Sequence, residues 1–173
     1  MYRERMETLK EWKVSKNRKP LIIRGARQVG KTWLMKEFGK LYYEKCAYIN
    51  FDNNSRMDIL FNEEFDLNRI IQGLKIESGI NIEPENTLII FDEIQETPNA
   101  LKALKYFYEN ANEYHIVAAG SLLGVAMHQG TSFPVGKVNF MDLMPLSFFE
   151  FLDALGQDLS LIHISEPTRH SLI

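Results

Sequence analysis

The stretch LIIRGARQVGKTWLMKEFG, residues 21–39, decides how this chain is organised. Its first residues, LIIR, predict a short buried strand that ends at Gly25. A glycine-containing loop follows, and KTWLMKEFGKLYY then has apolar residues at helical spacing. The loop itself, GARQVGKT at residues 25–32, fits the pattern G-x-x-x-x-G-K-[ST] at every fixed position. Strand, loop and helix therefore occur in the order that a phosphate-binding loop requires.

The fixed positions of this loop, called the P-loop below, are Gly25, Gly30, Lys31 and Thr32. Glycines let the backbone curl so that successive N–H groups and the helix N-terminus face a phosphate. Lys31 is expected to reach the β and γ phosphates of bound ATP, and Thr32 Oγ1 is expected to coordinate Mg²⁺. The loop is completed by four residues to whose side chains we assign no contact, namely Ala26, Arg27, Gln28 and Val29.

A second motif, LIIFDE at residues 88–93, is an apolar run closed by two carboxylates. Such a run is typical of a central strand that is buried on both faces. Because adjacent strand residues point in different directions, Asp92 can face the metal while Glu93 faces the γ phosphate and orients or deprotonates the attacking water. An apolar run followed by Asp-Glu is common by itself, but its place downstream of a complete P-loop gives it weight.

Two polar residues follow strand ends near this predicted site. Ser121 comes after the strand pattern HIVAAG, and two compatible interpretations are open for it. It can act as a sensor that approaches the γ phosphate, or it can cap the helix that begins SLLGVA. Gln95 lies just beyond the carboxylates, where contact with the site is one interpretation and an ordinary loop glutamine is the one we favour.

Histidine and aromatic side chains are assigned no functional site. His115 and His128 have no cysteine or carboxylate at metal-ligand spacing, so neither is predicted to bind zinc. Several aromatic residues fall at helical spacings that predict core packing rather than base stacking. They are Trp33, Phe38, Phe107, Tyr108, Phe148, Phe149 and Phe151.

Strand and helix patterns alternate along the chain, which predicts an α/β fold. We expect a three-layer sandwich in which a mainly parallel sheet is flanked by helices, with ligands bound beyond the carboxyl ends of the strands. Apolar residues at roughly helical spacing between Met6 and Trp12 predict an N-terminal helix that packs beside the core. Residues 56–79 are also predicted to be helical.

The composition is that of one compact domain, with 45% hydrophobic and 25% charged residues. A net charge of -3 excludes the global basicity that indicates nucleic-acid or anionic-membrane binding, although a local basic patch remains open. The charged N-terminus lacks the apolar stretch of a signal peptide, and no run approaches membrane-spanning length. We therefore expect a cytoplasmic protein with no membrane partner.

The last stretch, SLIHISEPTRHSLI at residues 160–173, does not continue the alternation of strands and helices. It has no clear period, and it resembles a peptide that results when sequencing-adapter DNA is translated. We expect one ATP-binding domain over residues 1–160, followed by a non-native or disordered tail over residues 161–173. Sequencing the source locus across these codons tests the expectation.

With these motifs, the chain resembles the AAA-type ATPase domain of a widespread group of two-part prokaryotic ATPases, whose second half is a C-terminal domain of unknown function. The resemblance spans nearly everything before residue 160 and implies an AAA-like P-loop NTPase core. It rests on RKPLIIRGARQVGKTWL, YINFD, LIIFDEIQETP, AAGSLLGV and MDLMPLSFFEFL, the last being similar to the family's PLSF-x-EF element.

The resemblance also implies roles for particular residues. It assigns ATP and Mg²⁺ binding to the P-loop, the metal-side carboxylate to Asp92, the catalytic glutamate to Glu93 and the sensor to Ser121. Family members often have Gly-Arg where this chain has Gly136 and Lys137, and a lysine lacks the planar fork that suits arginine to phosphate.

Other parts of the family pattern leave alternatives open. Lys137 is either a phosphate contact or a solvated lysine. No arginine finger is assigned, since Arg24 and Arg27 flank the P-loop but can equally be structural. Since the resemblance ends near residue 160, we expect that the C-terminal domain of the family is missing from this chain.

The sequence therefore predicts a P-loop ATPase that hydrolyses ATP to ADP and phosphate, with Glu93, Lys31 and Ser121 as catalytic residues. A nucleotide-gated binding switch with negligible turnover, associated with DNA, is the alternative, and a kinase is a more distant one. A homo-oligomer, and a DNA or protein partner bound through the missing C-terminal domain, rest on the resemblance alone.

Overall fold

The structure of this chain is a computed structural model that describes residues 5–63, 65–120, 134, 136–148 and 150. The strands are β1 (Leu21–Arg24), β2 (Lys45–Asn50), β3 (Thr87–Asp92), β4 (His115–Gly120) and β5 (Asn139–Asp142). The helices are α1 (Arg5–Val14), α2 (Lys31–Tyr42), α3 (Ser55–Asn62), α4 (Leu67–Ser78) and α5 (Pro98–Asn110), with a 3-10 turn at Ile94–Glu96. Within these ranges, no helix is both long enough and apolar enough to cross a membrane.

The five strands form one sheet in the order β2-β3-β4-β1-β5, and every pair is parallel. This confirms the α/β fold and the parallel sheet predicted from the sequence. Strand β4 lies between the two strands that carry the motifs, since Arg24 of β1 pairs with Gly120 and Phe91 of β3 pairs with Ala118. The carboxyl ends of β1, β3 and β4 therefore meet at one edge of the sheet.

Helices cover both faces of the sheet, as the alternation of side chains along β1 illustrates. Ile22 packs into a core cluster formed with α3, α4 and α5, whereas Leu21 and Ile23 pack into a second cluster formed with α1 and α2. Successive strand residues point to opposite faces, so strands that are apolar throughout fill both clusters. The predicted packing of the N-terminal helix is confirmed, because Met6 and Trp12 are buried in the second cluster.

The segment predicted to be helical over residues 56–79 forms two helices, α3 and α4, with a break between them. Asp66 starts the second one, because its side chain accepts a hydrogen bond from Asn68 N at 2.9 Å. An aspartate favours the capping position over the helix interior, so the chain breaks there despite its apolar period. The helix predicted to begin at Ser121 lies outside the described residues.

One histidine is buried at the start of β4, on the side of the second cluster. His115 is 4% exposed, and Tyr43 Oη lies 2.7 Å from its Nδ1. Trp12 and Tyr43 contact the ring edge-on. Burial is the main reason that the pKa of His115 is lowered to about 4, and the nearby positive charges of Arg18 and Lys13 contribute to the same shift.

This shift predicts that the chain loses stability in mild acid. An unfolded chain takes up a proton at His115 near pH 6.5, whereas the folded chain does so only near pH 4. The contribution is complete above about pH 6.5 and is lost as the pH falls toward about 4, by up to about 3 kcal/mol. Urea unfolding of the wild type and of His115→Gln across this range measures it. The variant keeps an acceptor for Tyr43, so equal losses of stability in both proteins would contradict the assignment.

Candidate functional site

A cleft of about 630 Å³ opens at the edge of the sheet where the motif-bearing strands end. This is where open α/β sheets bind their ligands. The cleft brings the P-loop and its helix together with the turn after β3. Its lining residues are Arg27, Gln28, Gly30, Lys31, Thr32, Trp33, Asp52, Glu93, Gln95 and Glu96.

The curled path of the P-loop depends on its two glycines. A Cβ atom on Gly25 would lie 2.3 Å from the carbonyl oxygen of Leu143, which follows β5, so only glycine fits beside that backbone. Gly30 has φ 89°, in the left-handed region that favours glycine, immediately before α2 begins. The loop therefore starts in close contact with the segment after β5 and ends in a left-handed turn directly before α2, whose first turn lines the cleft.

Lys31 is the first residue of α2 and is 6% exposed. Its Nζ donates hydrogen bonds to the carbonyl oxygens of Gly25 at 2.9 Å and Ala26 at 2.7 Å. Burial lowers the pKa of Lys31, and the carboxylates of Glu93 and Asp92 oppose this effect. The ammonium thus lies inside the loop, where the loop's own carbonyl oxygens hold it.

The P-loop and the second motif meet through Thr32 and Asp92. Thr32 Oγ1 donates a hydrogen bond to Asp92 Oδ2 at 2.7 Å, across 60 positions of the sequence. Tyr48 Oη, from β2, donates to the same carboxylate oxygen at 2.9 Å. Burial and this hydrogen bond raise the pKa of Tyr48, so its hydroxyl stays protonated as a donor. Lys36 Nζ lies 3.6 Å from the centre of the Tyr48 ring and holds it in place.

These residues fit a magnesium ion. Mg²⁺ takes oxygen ligands and is usually held by one or two protein groups together with phosphate oxygens. Because the Thr32 hydroxyl directs its proton to Asp92, a lone pair of Oγ1 remains for a cation. Asp92 is 4% exposed, so its carboxylate supplies negative charge at a site with little water.

Tyr48→Phe is expected to raise the Mg²⁺ concentration that half-saturates nucleotide binding by about tenfold, since partners that orient a metal-site carboxylate typically contribute that much to metal affinity. Without the hydroxyl, Asp92 Oδ2 keeps Thr32 as its donor but loses the one that comes from β2. Titrating Mg²⁺ at fixed ATP measures the half-saturating concentration. Tyr43→Phe removes a hydrogen-bonded hydroxyl far from the cleft and serves as the control. An equal Mg²⁺ dependence in both variants would remove Tyr48 from the site.

Glu93 leaves the strand in a strained conformation that turns its side chain into the cleft. Its φ of 51° is in the left-handed region, which is uncommon for a residue other than glycine and is frequent at functional sites. Gln95 Nε2 donates a hydrogen bond to Glu93 Oε2 at 2.6 Å. Gln95 Oε1 is buried and has no hydrogen-bond partner among the described residues. The glutamine interpreted as an ordinary loop residue therefore contacts the predicted base directly.

The other residues predicted at the site occupy varied positions. Ala26 contributes a backbone carbonyl, and the side chain of Val29 packs against the second core cluster beneath the loop. Ser121 lies outside the described residues. Its sensor role requires β4 to lie beside β3, and that condition is met, because Leu88 pairs with His115.

The three basic residues for which alternative roles were left open have different surroundings. Arg24 forms a bidentate ion pair with Asp142 at 2.9 Å, which joins β1 to β5, so its role is structural. Lys137 pairs with Glu109 at 3.0 Å, near the amino-terminal end of β5 and thus at the opposite edge of the sheet from the cleft. Arg27 lines the cleft.

Core packing was the wrong prediction for two aromatic residues, although Phe38 and Phe107 are fully buried as expected. Trp33 is 37% exposed and lines the cleft, and Phe148 is 64% exposed. The buried stripe of α2 passes through residues 31, 34, 35 and 38 and leaves position 33 to one side. That spacing was the signal in the sequence that could have identified Trp33.

Comparisons with known proteins agree with this architecture. The sequence model of a family described as "AAA domain" matches residues 17–152. The Walker-type ATPase PABY2304 of Pyrococcus abyssi superposes with a TM-score of 0.56 at 15% identity, covering 90% of this chain and 59% of that one. The ORC1 protein of Aeropyrum pernix, solved in complex with DNA, gives a TM-score of 0.49 at 15% identity, covering 90% and 49%.

The search of curated proteins gave no match. This chain spans less than two thirds of both solved structures, and at 15% identity the similarity to the P. abyssi ATPase shows the fold alone. The family match shows more than the fold, because it covers most of the sequence and includes both the P-loop and the LIIFDE motif. The chain belongs to the AAA domain family.

Proposed function

We propose that this chain is a Mg²⁺-dependent ATPase that hydrolyses ATP to ADP and phosphate in the cleft. The observation that carries the proposal is the 2.7 Å hydrogen bond between Thr32 Oγ1 and Asp92 Oδ2. It joins the P-loop to the second motif in a cleft that also contains Lys31 and Glu93. Membership of the AAA domain family supports a nucleotide-binding role for the same residues.

Binding begins with the backbone. N–H groups at the start of α2 and in the P-loop face the phosphates, where the helix dipole favours negative charge. Lys31 donates to the β and γ phosphates after it leaves the carbonyls of Gly25 and Ala26. Thr32 and Asp92 would hold Mg²⁺, and this ion neutralises charge on the phosphate oxygens when it is bound.

Hydrolysis forms a bond between the water oxygen and the γ phosphorus and breaks the bond from that phosphorus to the bridging oxygen. ADP leaves with the bridging oxygen. Glu93 orients the water and accepts its proton, and Gln95 Nε2 donates to Oε2 of the same carboxylate. Lys31 stabilises the negative charge that develops on the β and γ phosphate oxygens as this bond breaks.

A nucleotide-gated switch with negligible turnover is the second candidate. The hydrogen bond from Gln95 to Glu93, at 2.6 Å, favours it, because the carboxylate is engaged by the protein itself. In this alternative, exchange of Lys31 from loop carbonyls to phosphate oxygens changes the conformation without chemistry. A homo-oligomer, or a DNA or protein partner reached through a C-terminal domain, is carried by the family resemblance alone.

Phosphate release from ATP by the wild-type chain tests the proposal. We expect turnover with Mg²⁺ and none when Mg²⁺ is chelated, since the carboxylate of Asp92 would then face the negatively charged phosphates with no cation between them. Tight ATP binding without phosphate release would favour the switch. Phosphate release that persists after chelation would contradict the metal site.

A further inference from the structure

The first turn of α2 presents three backbone N–H groups to the cleft. The first hydrogen bond within the helix joins Leu34 N to Gly30 O at 2.9 Å. The N–H groups of Lys31, Thr32 and Trp33 precede it, and such groups have no partner inside a helix. A triphosphate that binds to this turn therefore lies directly against Trp33 as well as against Lys31 and Thr32.

Helix geometry separates Trp33 from the catalytic end of the cleft. Thr32 turns toward Asp92 of β3, as their hydrogen bond shows. Successive side chains on an α-helix are about 100° apart, so Trp33 turns away from β3 and from Glu93. If the γ phosphate lies at Glu93, the ribose and the base extend toward the side of the cleft that Trp33 occupies.

The side chain of Trp33 is accessible to a ligand in the cleft. It is 37% exposed, and it makes no hydrogen bond or ring contact with the residues that the structure describes. The buried stripe of α2 does not include it. None of the other described residues that line the cleft is aromatic, since they are polar, charged or glycine.

We propose that Trp33 forms the wall of a nucleobase subsite, on which the base of the bound nucleotide stacks. The inference rests on the proposed function, because it requires the phosphates to bind at the P-loop. Stacking on an aromatic side chain contributes substantially for any base, and it favours bases with a larger face. The subsite therefore selects purine over pyrimidine nucleotides by contact area, and it discriminates weakly between adenine and guanine.

Comparing Mg-ATP with Mg-tripolyphosphate separates the base from the phosphates. Trp33→Leu is expected to weaken Mg-ATP binding by about tenfold or more and to leave Mg-tripolyphosphate binding unchanged. Trp33→Phe should keep much of the affinity for ATP, because a smaller aromatic face remains. Wild-type fluorescence should fall on addition of Mg-ATP but not of Mg-tripolyphosphate. The other tryptophan, Trp12, is only 7% exposed and lies in the core, so it should not respond.

The outcomes distinguish this inference from the proposed function. If the wild type binds both compounds and Trp33→Leu weakens both equally, or neither, then the base does not stack on Trp33 and the subsite is refuted. If Trp33→Phe is as weak as Trp33→Leu, stacking is likewise refuted. If the wild type binds neither compound, the proposed function fails, and the subsite fails with it.

Discussion

Replacing Lys31 with alanine is expected to lower the affinity for Mg-ATP by about 100-fold or more. A cation that donates to the β and γ phosphates contributes on the order of 3 kcal/mol through charge-assisted hydrogen bonds, and about 1.4 kcal/mol corresponds to a factor of ten. Lys31 lies within the loop at 6% exposure, so no neighbouring lysine can take its position. Calorimetric titration of the variant with Mg-ATP measures the loss.

The control for this prediction is Lys40→Ala. Lys40 is exposed in the last turn of the same helix, so its removal changes the net charge equally without touching the cleft. Thermal unfolding of both variants checks that the fold is retained. Similar ATP affinities for Lys31→Ala and Lys40→Ala would show that Lys31 does not contact the nucleotide.

Replacing Glu93 with glutamine is expected to reduce single-turnover hydrolysis by about 10²-fold to 10⁴-fold, because a positioned general base contributes that much. The amide keeps the shape of the carboxylate but cannot accept a proton. Binding of Mg-ATP should remain close to that of the wild type, since Glu93 is assigned to the water and not to the phosphates. Rapid-quench measurement of phosphate formation, together with a binding titration, separates the two effects.

Glu96→Gln is a matched control for this second prediction. Glu96 lines the same cleft three residues further along and contacts Gln95 Nε2 at 3.3 Å, but it is exposed and has no assigned role. Its variant should hydrolyse ATP at nearly the wild-type rate. Equal rates for Glu93→Gln and the wild type would show that another group activates the water.

Much of the fold could be predicted because each of the two motifs follows directly on the apolar run of a strand. The apolar runs before Gly25 and Asp92 are long enough, and apolar enough, to require strands buried on both faces, and both are central strands of the sheet. The pairing of strands could not be predicted in the same way. Hydrophobic alternation fixes which face a residue occupies but not which strand lies beside it, so the position of β4 between β1 and β3 came from the structure.

Within the site, too, local motifs could be predicted from the sequence, whereas a contact between distant segments could not. Lys31, Thr32, Asp92 and Glu93 were predicted from residue type and spacing, which local motifs encode, and the structure brings them together at one end of the sheet. Tyr48 was missed because its hydroxyl reaches Asp92 from β2, 44 positions away, and nothing in YINFD marks one of its side chains as a partner of Asp92.

The central claim of this account is that the cleft binds a nucleoside triphosphate through the P-loop. Calorimetric titration of the wild-type chain with Mg-ATP tests it most directly, with Mg-ADP as a competitor. We expect saturable binding of one Mg-ATP per chain, and we expect Mg-ADP to displace it. Absence of binding at millimolar Mg-ATP, in a chain shown to be folded, would contradict it.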